Sequence, residues 1–332
     1  MRFGAYGLFW FFAIILGMPH ETSANRETRD TVFVADEEDH EPGDYDYLMP
    51  AEALSGSIPF TRVGNLIVIQ VQLDSISGNF ILDTGAPGLV LNLTYFRHYR
   101  ASQREDAEGG GITGGVAGGS PTMVKQMSFG NFTFTSLQAD RVSLGHIENS
   151  KNVKILGLLG AGLFKRFEMV IDYANELIHL HRVAKNQRMT YKSQYQAKRA
   201  DFYTMPLTIR DGKIMTQVVI GSQRLNFVLD TGAETNIMDS RLPKEVFSEV
   251  EMERKISLIG TGSKKVEAWY GRVKETNLGS CKIANMEVMV TSLKHLSAAF
   301  GRDIDGMLGY GFLSKQKVGI NFLTNEMYIW KQ

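Results

Sequence analysis

The amino-acid sequence predicts an all-β protein made of two pseudo-two-fold-related, β-barrel-like lobes with a cleft between them. Three observations predict this class. An eight-residue phrase at 79–86 returns at 226–233 with a single change of Ile to Val. The similarity continues on both sides of the phrase, so each copy belongs to a larger repeated unit. Short apolar runs separated by Gly, Asp, Asn and Ser recur in both units, which is typical of strands and turns.

The repeat defines the size of the two units. With an offset of 147 residues, 59–61 aligns with 206–208. After the phrase the offset becomes 149, and 157–162 (Gly-Leu-Leu-Gly-Ala-Gly) then aligns with 306–311 (Gly-Met-Leu-Gly-Tyr-Gly). Such a period is far longer than a solenoid repeat, so each copy is expected to form a lobe of its own.

Length and composition agree with this organisation. At 332 residues the chain can hold two domain-sized cores. It is 43% apolar and 22% charged, which is ordinary for a globular protein. The formal net charge is zero, so we expect no nucleic-acid partner. Cys281 is the only cysteine, and its alignment with Phe132 in the repeat predicts a small core residue rather than a disulfide partner.

The first 24 residues have the features of a signal peptide. Arg2 precedes an apolar run over 3–18, and Thr22-Ser23-Ala24 supplies small residues for a cleavage site. We therefore expect an exported protein, periplasmic or secreted, with a signal-anchored membrane form as the alternative. Residues 25–56 are predicted to be an acidic linker or pro-like segment, because 25–50 contains nine acidic residues and two Arg.

The first lobe is predicted to span 57–182. A turn is expected over 74–78, between an apolar run and the repeated phrase. The last two strands of this lobe should form a closing hairpin. The expected strands are 66–73, 79–82, 170–173 and 177–180.

The second lobe is predicted to span 203–332 and to follow a basic linker over 183–202. Asp211-Gly212 is a strong signal for a hairpin turn. Helices are expected to be few and short, at 163–167 and 242–249. The expected strands are 214–220, 225–229, 319–322 and 327–330.

The repeated phrase predicts chemistry as well as structure. In each copy an apolar strand ends in Asp-Thr-Gly, and a two-fold arrangement would bring Asp83 and Asp230 face to face. Two carboxyl groups a few ångströms apart cannot both ionise easily, so the pKa of one rises and the pKa of the other falls. The charged group can take a proton from a bound water, and the protonated group can hydrogen bond to a substrate carbonyl. This chemistry suits the hydrolysis of a peptide bond.

The residues after each Asp are expected to support the pair. The Thr84 and Thr231 hydroxyl groups can hydrogen bond across a symmetric interface and tie the two turns together. Gly85 and Gly232 permit tight turns that a side chain would block. The sequence therefore predicts that these four residues brace the carboxyl pair.

These motifs give the chain a recognisable resemblance. With Asp83-Thr84-Gly85-Ala86 and Asp230-Thr231-Gly232-Ala233, it resembles the retropepsin-like aspartic peptidases, in a tandem single-chain form similar in plan to the bilobal pepsins. The second motif of that family has two apolar residues and a Gly, and it matches Leu158-Leu159-Gly160 and Met307-Leu308-Gly309. The resemblance covers residues 57–332.

The resemblance implies an aspartic endopeptidase that needs no cofactor and no metal and acts on an extended polypeptide bound in the cleft. Asp83 and Asp230 would be the catalytic pair. The residues that would support their turns are Leu159, Gly160, Leu308 and Gly309. Retroviral members follow this second motif with Arg and then Asn or Asp. Here Ala161-Gly162 and Tyr310-Gly311 stand instead, so that ion-pair network is expected to be absent.

The resemblance also implies a mobile flap over the substrate. In the first half the flap would include Gly114 and Gly115, within a Gly-rich run over 109–119. In the second half it would include Trp269 and Tyr270. A Gly-rich run of this kind is also typical of a simple linker, and that interpretation stays open.

The sequence allows three alternative interpretations. His179 and His181 share one strand face, but no further ligand lies at metal spacing, so a hydrogen-bonded surface pair is favoured over zinc. A catalytically weak peptide-binding or regulatory protein is the alternative function. The halves could also pair between two chains in a homodimer. A monomer with the pair formed in cis is preferred, because the linker gives the two halves a high effective concentration.

Overall fold

A computed structural model describes residues 46–48, 55–100, 121–183, 191, 200–210, 212–259 and 265–331 of the chain. The predicted signal peptide and the flap residues Gly114 and Gly115 lie outside the described residues, as do most of the acidic segment and most of the basic linker. The fold is all-β, as predicted, with few short helices.

The first half contains eleven strands, one α-helix and one 3-10 helix over Ala161–Phe164 among its described residues. The strands and helix are β1 (Asp46–Leu48), β2 (Ser55–Pro59), β3 (Thr61–Val63), β4 (Leu66–Leu73), β5 (Ile76–Asp83), β6 (Leu89–Asn92), β7 (Pro121–Phe129), β8 (Phe132–Val142), α1 (Gly145–Lys151), β9 (Gly157–Gly160), β10 (Phe167–Asp172) and β11 (Leu177–Arg182).

The second half repeats this order with small differences. Its described elements are β12 (Phe202–Pro206), β13 (Thr208–Arg210), β14 (Lys213–Ile220), β15 (Gln223–Leu229), β16 (Ile237–Asp239), α2 (Lys244–Phe247), β17 (Val250–Ile259), β18 (Lys265–Leu278), β19 (Cys281–Thr291), α3 (Lys294–Phe300), β20 (Gly306–Leu308), α4 (Tyr310–Leu313), β21 (Val318–Asn321) and β22 (Glu326–Trp330).

Each half forms a closed barrel of six strands, which confirms the predicted two-lobe plan. The first barrel follows the order β4, β5, β9, β6, β8, β7 and returns to β4. The second follows β14, β15, β20, β16, β19, β18 and returns to β14. In both barrels the strand that leads to Asp-Thr-Gly pairs in parallel with the strand of the apolar-apolar-Gly motif. The two repeated motifs are therefore neighbours in space.

A third sheet joins the two lobes. Its order is β12, β22, β21, β10, β11, β2, so each half contributes three strands. The central pair is antiparallel β10 and β21, with Glu168 opposite Asn321 and Ile171 opposite Val318. Because equivalent strands of the two halves meet at its centre, this sheet fixes the pseudo-two-fold relation between the barrels.

The barrels and the third sheet share one apolar core. In the first lobe the Phe164 and Phe167 rings lie 6.1 Å apart, edge to face. Phe164 also packs against Phe322 of the second lobe, with ring centres 6.3 Å apart. On β4, alternate side chains point into the barrel core, and the opposite face is also buried in its first half, at Leu66 and Val68. The core-facing residues are Ile67, Ile69, Val71 and Leu73.

The strand predictions were largely confirmed, but one turn was wrong. β4 covers 66–73 as predicted, whereas the turn predicted over 74–78 is only two residues long. Leu73 pairs with Ile76, and Gly78 continues the ladder opposite Val71. Gly78 suggested a turn, but it sits in the strand where Leu156 packs against it. The hairpin predicted around Gly212 is confirmed by the pairing of Arg210 with Lys213, although Asp211 itself lies outside the described residues.

The helix predictions were less accurate. The segment 163–167 is not a helix of that extent, because the 3-10 helix ends at Phe164 and the fully buried Phe167 begins β10. The helix predicted over 242–249 is limited to α2, which starts after Pro243. α1 and α3 were not predicted, and each is a short helix of seven residues that ends in a left-handed residue.

Two further features bear on the sequence predictions. Cys281 is buried at the start of β19, and Phe132 is buried at the start of β8, so their alignment in the repeat is confirmed. Within the part of the chain that the structure describes, no helix is long and apolar enough to cross a membrane.

Candidate active site

The two Asp-Thr-Gly turns meet between the barrels. Asp83 is the last residue of β5, and Asp230 directly follows β15. Each strand has a buried apolar face that fixes it in its barrel, so the carboxyl groups leave the core at equivalent points. The pseudo-two-fold relation then places these two points side by side.

The two threonines form a symmetric hydrogen-bond network. The Thr84 amide donates to Thr231 Oγ1 at 2.9 Å, and the Thr231 amide donates to Thr84 Oγ1 at 3.0 Å. Each hydroxyl in turn donates to a strand carbonyl of the other lobe, Thr84 to Leu229 at 3.0 Å and Thr231 to Leu82 at 2.8 Å. Both threonines are fully buried. These four bonds hold the two turns together without help from solvent.

The glycines allow the carboxyl groups to approach the opposite turn. A Cβ atom on Gly85 would lie 2.6 Å from Asp230 Oδ2, and one on Gly232 would lie 2.7 Å from Asp83 Cγ. Either contact is far too short for real atoms, so any side chain at these positions would push the opposite carboxyl group away. Each carboxyl group is also held by its own turn, since Gly85 donates to Asp83 Oδ1 at 3.0 Å and Gly232 to Asp230 Oδ1 at 2.8 Å.

The electrostatics of the pair are those of two carboxyl groups that share one proton. Burial is the main cause that raises the pKa of both Asp83 and Asp230, so the expectation that one of the two pKa values falls was wrong. The pKa of Asp83 lies well above its usual range, because burial is reinforced by the neighbouring charge of Asp230. The rise at Asp230 is opposed by hydrogen bonds from Gly232 and from Asp83. The shared proton therefore belongs to the pair of carboxyl groups as a whole, which titrate together.

Asp83 and Asp230 are each only partly buried as whole residues, even though protein surrounds their carboxyl groups. A water molecule can therefore reach the pair. A charged carboxylate beside a protonated carboxyl group can remove a proton from that water and donate a proton to an electrophile in the same site. The arrangement suits general acid–base catalysis.

The apolar-apolar-Gly segments lie directly behind the two turns. Leu159 and Leu308 are fully buried beside Leu82 and Leu229, their parallel neighbours. The Asp230 amide donates to the Leu308 carbonyl at 3.0 Å. Gly160 donates to the Gly88 carbonyl at 3.0 Å, and Gly309 donates to Asn236 Oδ1 at 3.0 Å. The structure thus places all four predicted turn-supporting residues against the turns.

A buried contact between the lobes lies beside the second turn. Glu234 follows Asp230-Thr231-Gly232-Ala233, and its Oε1 atom lies 2.5 Å from Lys151 Nζ at the end of α1. Asn65 of the first lobe donates its amide to Glu234 Oε2 at 3.1 Å and its side-chain Nδ2 to the Glu234 carbonyl at 3.0 Å. Burial raises the pKa of Glu234, and Lys151 opposes that rise.

A second contact between the lobes involves Tyr310, directly after the motif of the second half. Its hydroxyl accepts a hydrogen bond from Arg62 at 3.2 Å, and its ring packs edge to face on Tyr173 at 5.5 Å. Arg62 also donates to Glu176 at 3.0 Å. Tyr310 stands at the position where the retroviral pattern has Arg, and here it contacts Arg62 and Tyr173.

The predicted flap residues of the second half lie on the β17–β18 hairpin. Trp269 is opposite Lys255, and the residue is 44% exposed. Tyr270 stacks under Arg254, whose guanidinium lies 5.0 Å from the ring centre. Gly114 and Gly115 are outside the described residues, so the placement of the first-half flap stays a prediction.

The histidine pair is hydrogen bonded on the outer face of β11. His179 Nδ1 lies 2.7 Å from Ser57 Oγ, and His181 Nδ1 lies 2.7 Å from Ser55 Oγ, which confirms the interpretation as a surface pair. Glu168 on β10 is the cross-strand neighbour of His181, a proximity that sequence spacing did not reveal. Among the described residues, no group of three or more His, Cys, Asp or Glu side chains could hold a metal ion.

Sequence reasoning missed the contacts between the lobes around the second turn. The available signal was the charged Glu234 directly after a motif whose first copy is followed by Pro87. The two copies of the repeat therefore differ at this position. Such a difference beside a candidate site suggests that the two turns have different surroundings. Lys151, Asn65 and Arg62 gave no such signal, because their proximity depends on how the lobes pack.

Comparison with known proteins agrees with the geometry. A family model described as Aspartyl protease matches residues 69–163 and 216–312, together more than half of the chain. Each matched segment contains one Asp-Thr-Gly turn and one apolar-apolar-Gly segment. A search of curated proteins found no match.

Proposed function

The chain belongs to the aspartyl protease family, and we propose that it is an aspartic endopeptidase in which Asp83 and Asp230 activate water against a peptide bond. The observation that carries this proposal is the close approach of the two carboxyl groups across the paired turns, which the symmetric threonine network holds together. A single chain supplies both halves of this pair, so we also propose that it acts as a monomer.

The reaction would begin with one proton shared by the pair. The Asp230 carboxylate takes a proton from the bound water, and the water oxygen bonds to the carbonyl carbon of the substrate. Asp83 donates its proton to the carbonyl oxygen, which gives a neutral diol. The C–N bond then breaks as the nitrogen accepts a proton from Asp230, and a diol hydroxyl returns a proton to Asp83. No bond forms between enzyme and substrate.

The proposed substrate is an extended polypeptide that lies between the lobes. Extended peptides bind well beside strands, because main-chain hydrogen bonds supply affinity and alternate side chains supply specificity. Trp269 and Tyr270 are proposed to contact such a substrate, since they lie on a long hairpin and Trp269 exposes a large aromatic surface. The proposal needs neither a cofactor, a metal nor a nucleic acid.

Export is the proposed location, periplasmic or secreted. It is supported by the apolar run and the small residues within the first 24 residues. The acidic segment after it is a candidate pro-like segment.

The test is digestion of a denatured protein mixture between pH 3 and 8 by the chain from residue 25 onward. Wild type should cleave, a statine-type inhibitor should block cleavage, and Asp83→Asn and Asp230→Asn should each lose nearly all activity. Equal cleavage by wild type and Asp83→Asn would contradict the proposal. Tight inhibitor binding without turnover would instead favour a peptide-binding or regulatory protein.

A further inference from the structure

The two catalytic turns are nearly identical in sequence, but the opposite lobe holds them differently. Around the second turn, the positions that reach the first lobe are Glu234 and Tyr310. Their counterparts around the first turn are Pro87 and Ala161, which have no polar side-chain atoms. The difference is therefore built into the sequence at two separate places.

The contact at Glu234 is buried and makes several bonds. Only 6% of the Glu234 side chain and 8% of the Lys151 side chain are exposed. Lys151 pairs with one carboxylate oxygen, and the Asn65 amide donates to the other. A second bond from Asn65 reaches the Glu234 main chain, so the backbone is held as well as the side chain.

The β3–β4 hairpin is shaped for this contact. Gly64 at its turn has a φ of +62°, which a residue with a side chain rarely adopts. A Cβ atom there would lie 2.9 Å from Glu234 Oε2 and 3.0 Å from Lys151 Nζ. The turn can therefore approach the ion pair between Lys151 and Glu234 only because position 64 is glycine.

The same hairpin contacts the other side of the second turn. Arg62 on β3 donates to the Tyr310 hydroxyl, and the Tyr310 amide donates to the Ala233 carbonyl at 2.8 Å. Ala233 is itself part of the turn, and its amide donates to the Asp230 carbonyl at 3.3 Å. First-lobe side chains thus reach the Asp230 turn from both directions.

The equivalent hairpin of the second lobe, β13–β14, packs against the first turn. It brings Gly212 against Pro87, where a Cβ atom would lie 2.8 Å from Pro87 Cα. Pro87 has no polar side-chain atom, so an ion pair like that of Glu234 cannot form at this position.

We propose that the β3–β4 hairpin together with Lys151 forms a cross-lobe brace that positions Asp230 against Asp83. The brace consists of Arg62, Gly64, Asn65, Lys151, Glu234 and Tyr310. Its members are positioning residues, because they act on the reaction through the Asp230 turn. The proposal rests on the proposed peptidase function, since it assigns the brace a role in setting the carboxyl pair.

The first experiment removes the buried ion pair. Lys151→Met, Glu234→Gln and the double variant are compared with wild type for kcat and KM on a peptide substrate. A displaced Asp230 should lower kcat by about 10- to 100-fold, while KM changes by less than about 2-fold. The double variant leaves no unpaired buried charge, so it should fold better than Lys151→Met and still show the low kcat. Lys151→Arg keeps the charge and should recover much of the activity.

A second measurement does not depend on turnover. Carbon-13 carboxyl NMR of aspartate-labelled protein follows the titration of Asp83 and Asp230, assigned with the two Asn variants. The brace variants should shift the titration of the pair. If the wild-type protein cleaves nothing, this measurement still tests the brace. Failure of the peptidase proposal can therefore be distinguished from failure of the brace proposal.

The matched control is Lys317→Met. Lys317 lies 2.7 Å from Asp172 and also joins the lobes, but at the third sheet rather than at the turn. This variant should lower stability and leave both kcat and the titration of the pair unchanged. Folded brace variants with wild-type kcat and wild-type titration would overturn the proposal, as would an equal effect of Lys317→Met on both readouts.

Discussion

Asp83 and Asp230 bring two carboxyl groups to a site where a second negative charge is unfavourable. Each pKa is raised in the folded protein, chiefly by burial, whereas an unfolded Asp titrates near about 3.9. A raised pKa means that the folded state binds protons more tightly than the unfolded state. The pair therefore lowers the free energy of unfolding least when the pH is below the pKa of an unfolded Asp. It lowers that free energy more as the pH rises through the pKa values of the folded protein.

Asp83→Asn should therefore raise the melting temperature at pH 7, because it removes one of two neighbouring carboxyl groups whose ionisation in the folded protein is unfavourable. The gain should shrink as the pH falls towards about 4, where the unfolded carboxyl group is also protonated. Thermal unfolding at several pH values measures this effect. The exposed Asp201→Asn serves as the control and should show no such pH-dependent gain. A stability loss at pH 7 in Asp83→Asn would contradict the prediction.

Thr84 has a structural task that depends on its hydroxyl group. Thr84→Val keeps the shape of the side chain but leaves the Thr231 amide and the Leu229 carbonyl without their partner. Each buried group left unpaired costs about 1–3 kcal/mol, so for the two groups we expect a loss of about 2–6 kcal/mol in the free energy of unfolding. Urea denaturation measures the loss. Thr84→Ser retains the hydroxyl and should lose much less; an equal loss would mean that the methyl group, not the hydrogen bonds, matters.

At the scale of elements, the 3-10 helix at Ala161–Phe164 links the site to the seam between the lobes. Phe164 follows the apolar-apolar-Gly motif and packs on Phe322 of the other lobe. Phe164→Ala should lower the free energy of unfolding by about 3–5 kcal/mol, because it opens a cavity in a fully packed core. Met123→Ala on the exposed face of β7 should change it by less than about 0.5 kcal/mol. Chemical denaturation of both variants checks the contrast, and similar values would contradict it.

The elements also show what sequence alone can and cannot predict. β4 was predicted to the residue because its apolar run has clear boundaries. The start of β5 was missed because Gly78 is a turn signal in isolation, yet it is kept in the strand by its pairing with Val71. α1 and α3 were missed because seven residues are too few for a helical period to stand out.

The candidate site also has a part that the sequence predicts and a part that it does not. The Asp-Thr-Gly and apolar-apolar-Gly segments are local motifs, and the structure brings all eight predicted turn residues together. The contact of Lys151 with Glu234 joins residues far apart in the chain and depends on the angle between two barrels. No local pattern encodes that angle, so the contact could be found only in the folded structure.

At the scale of the whole molecule, the lobes share one core and one sheet. The core cluster includes Phe164 and Phe322 from different lobes, and β10 pairs with β21 at the centre of the third sheet. We therefore expect the lobes to unfold together in a single calorimetric transition. The calorimetric and van't Hoff enthalpies should agree. Two resolved transitions would show that the lobes are independent and that the shared sheet contributes little.

The third sheet has a practical consequence for dividing the chain. A cut between residues 183 and 200 would leave each fragment with a complete barrel, three strands of that sheet and one Asp-Thr-Gly turn. Neither fragment alone would contain both Asp83 and Asp230. The contact between Lys151 and Glu234 would likewise form only between a first-half fragment and a second-half fragment. If the fragments were fused to two other proteins, Asp83 and Asp230 would come together only when the carrier proteins meet.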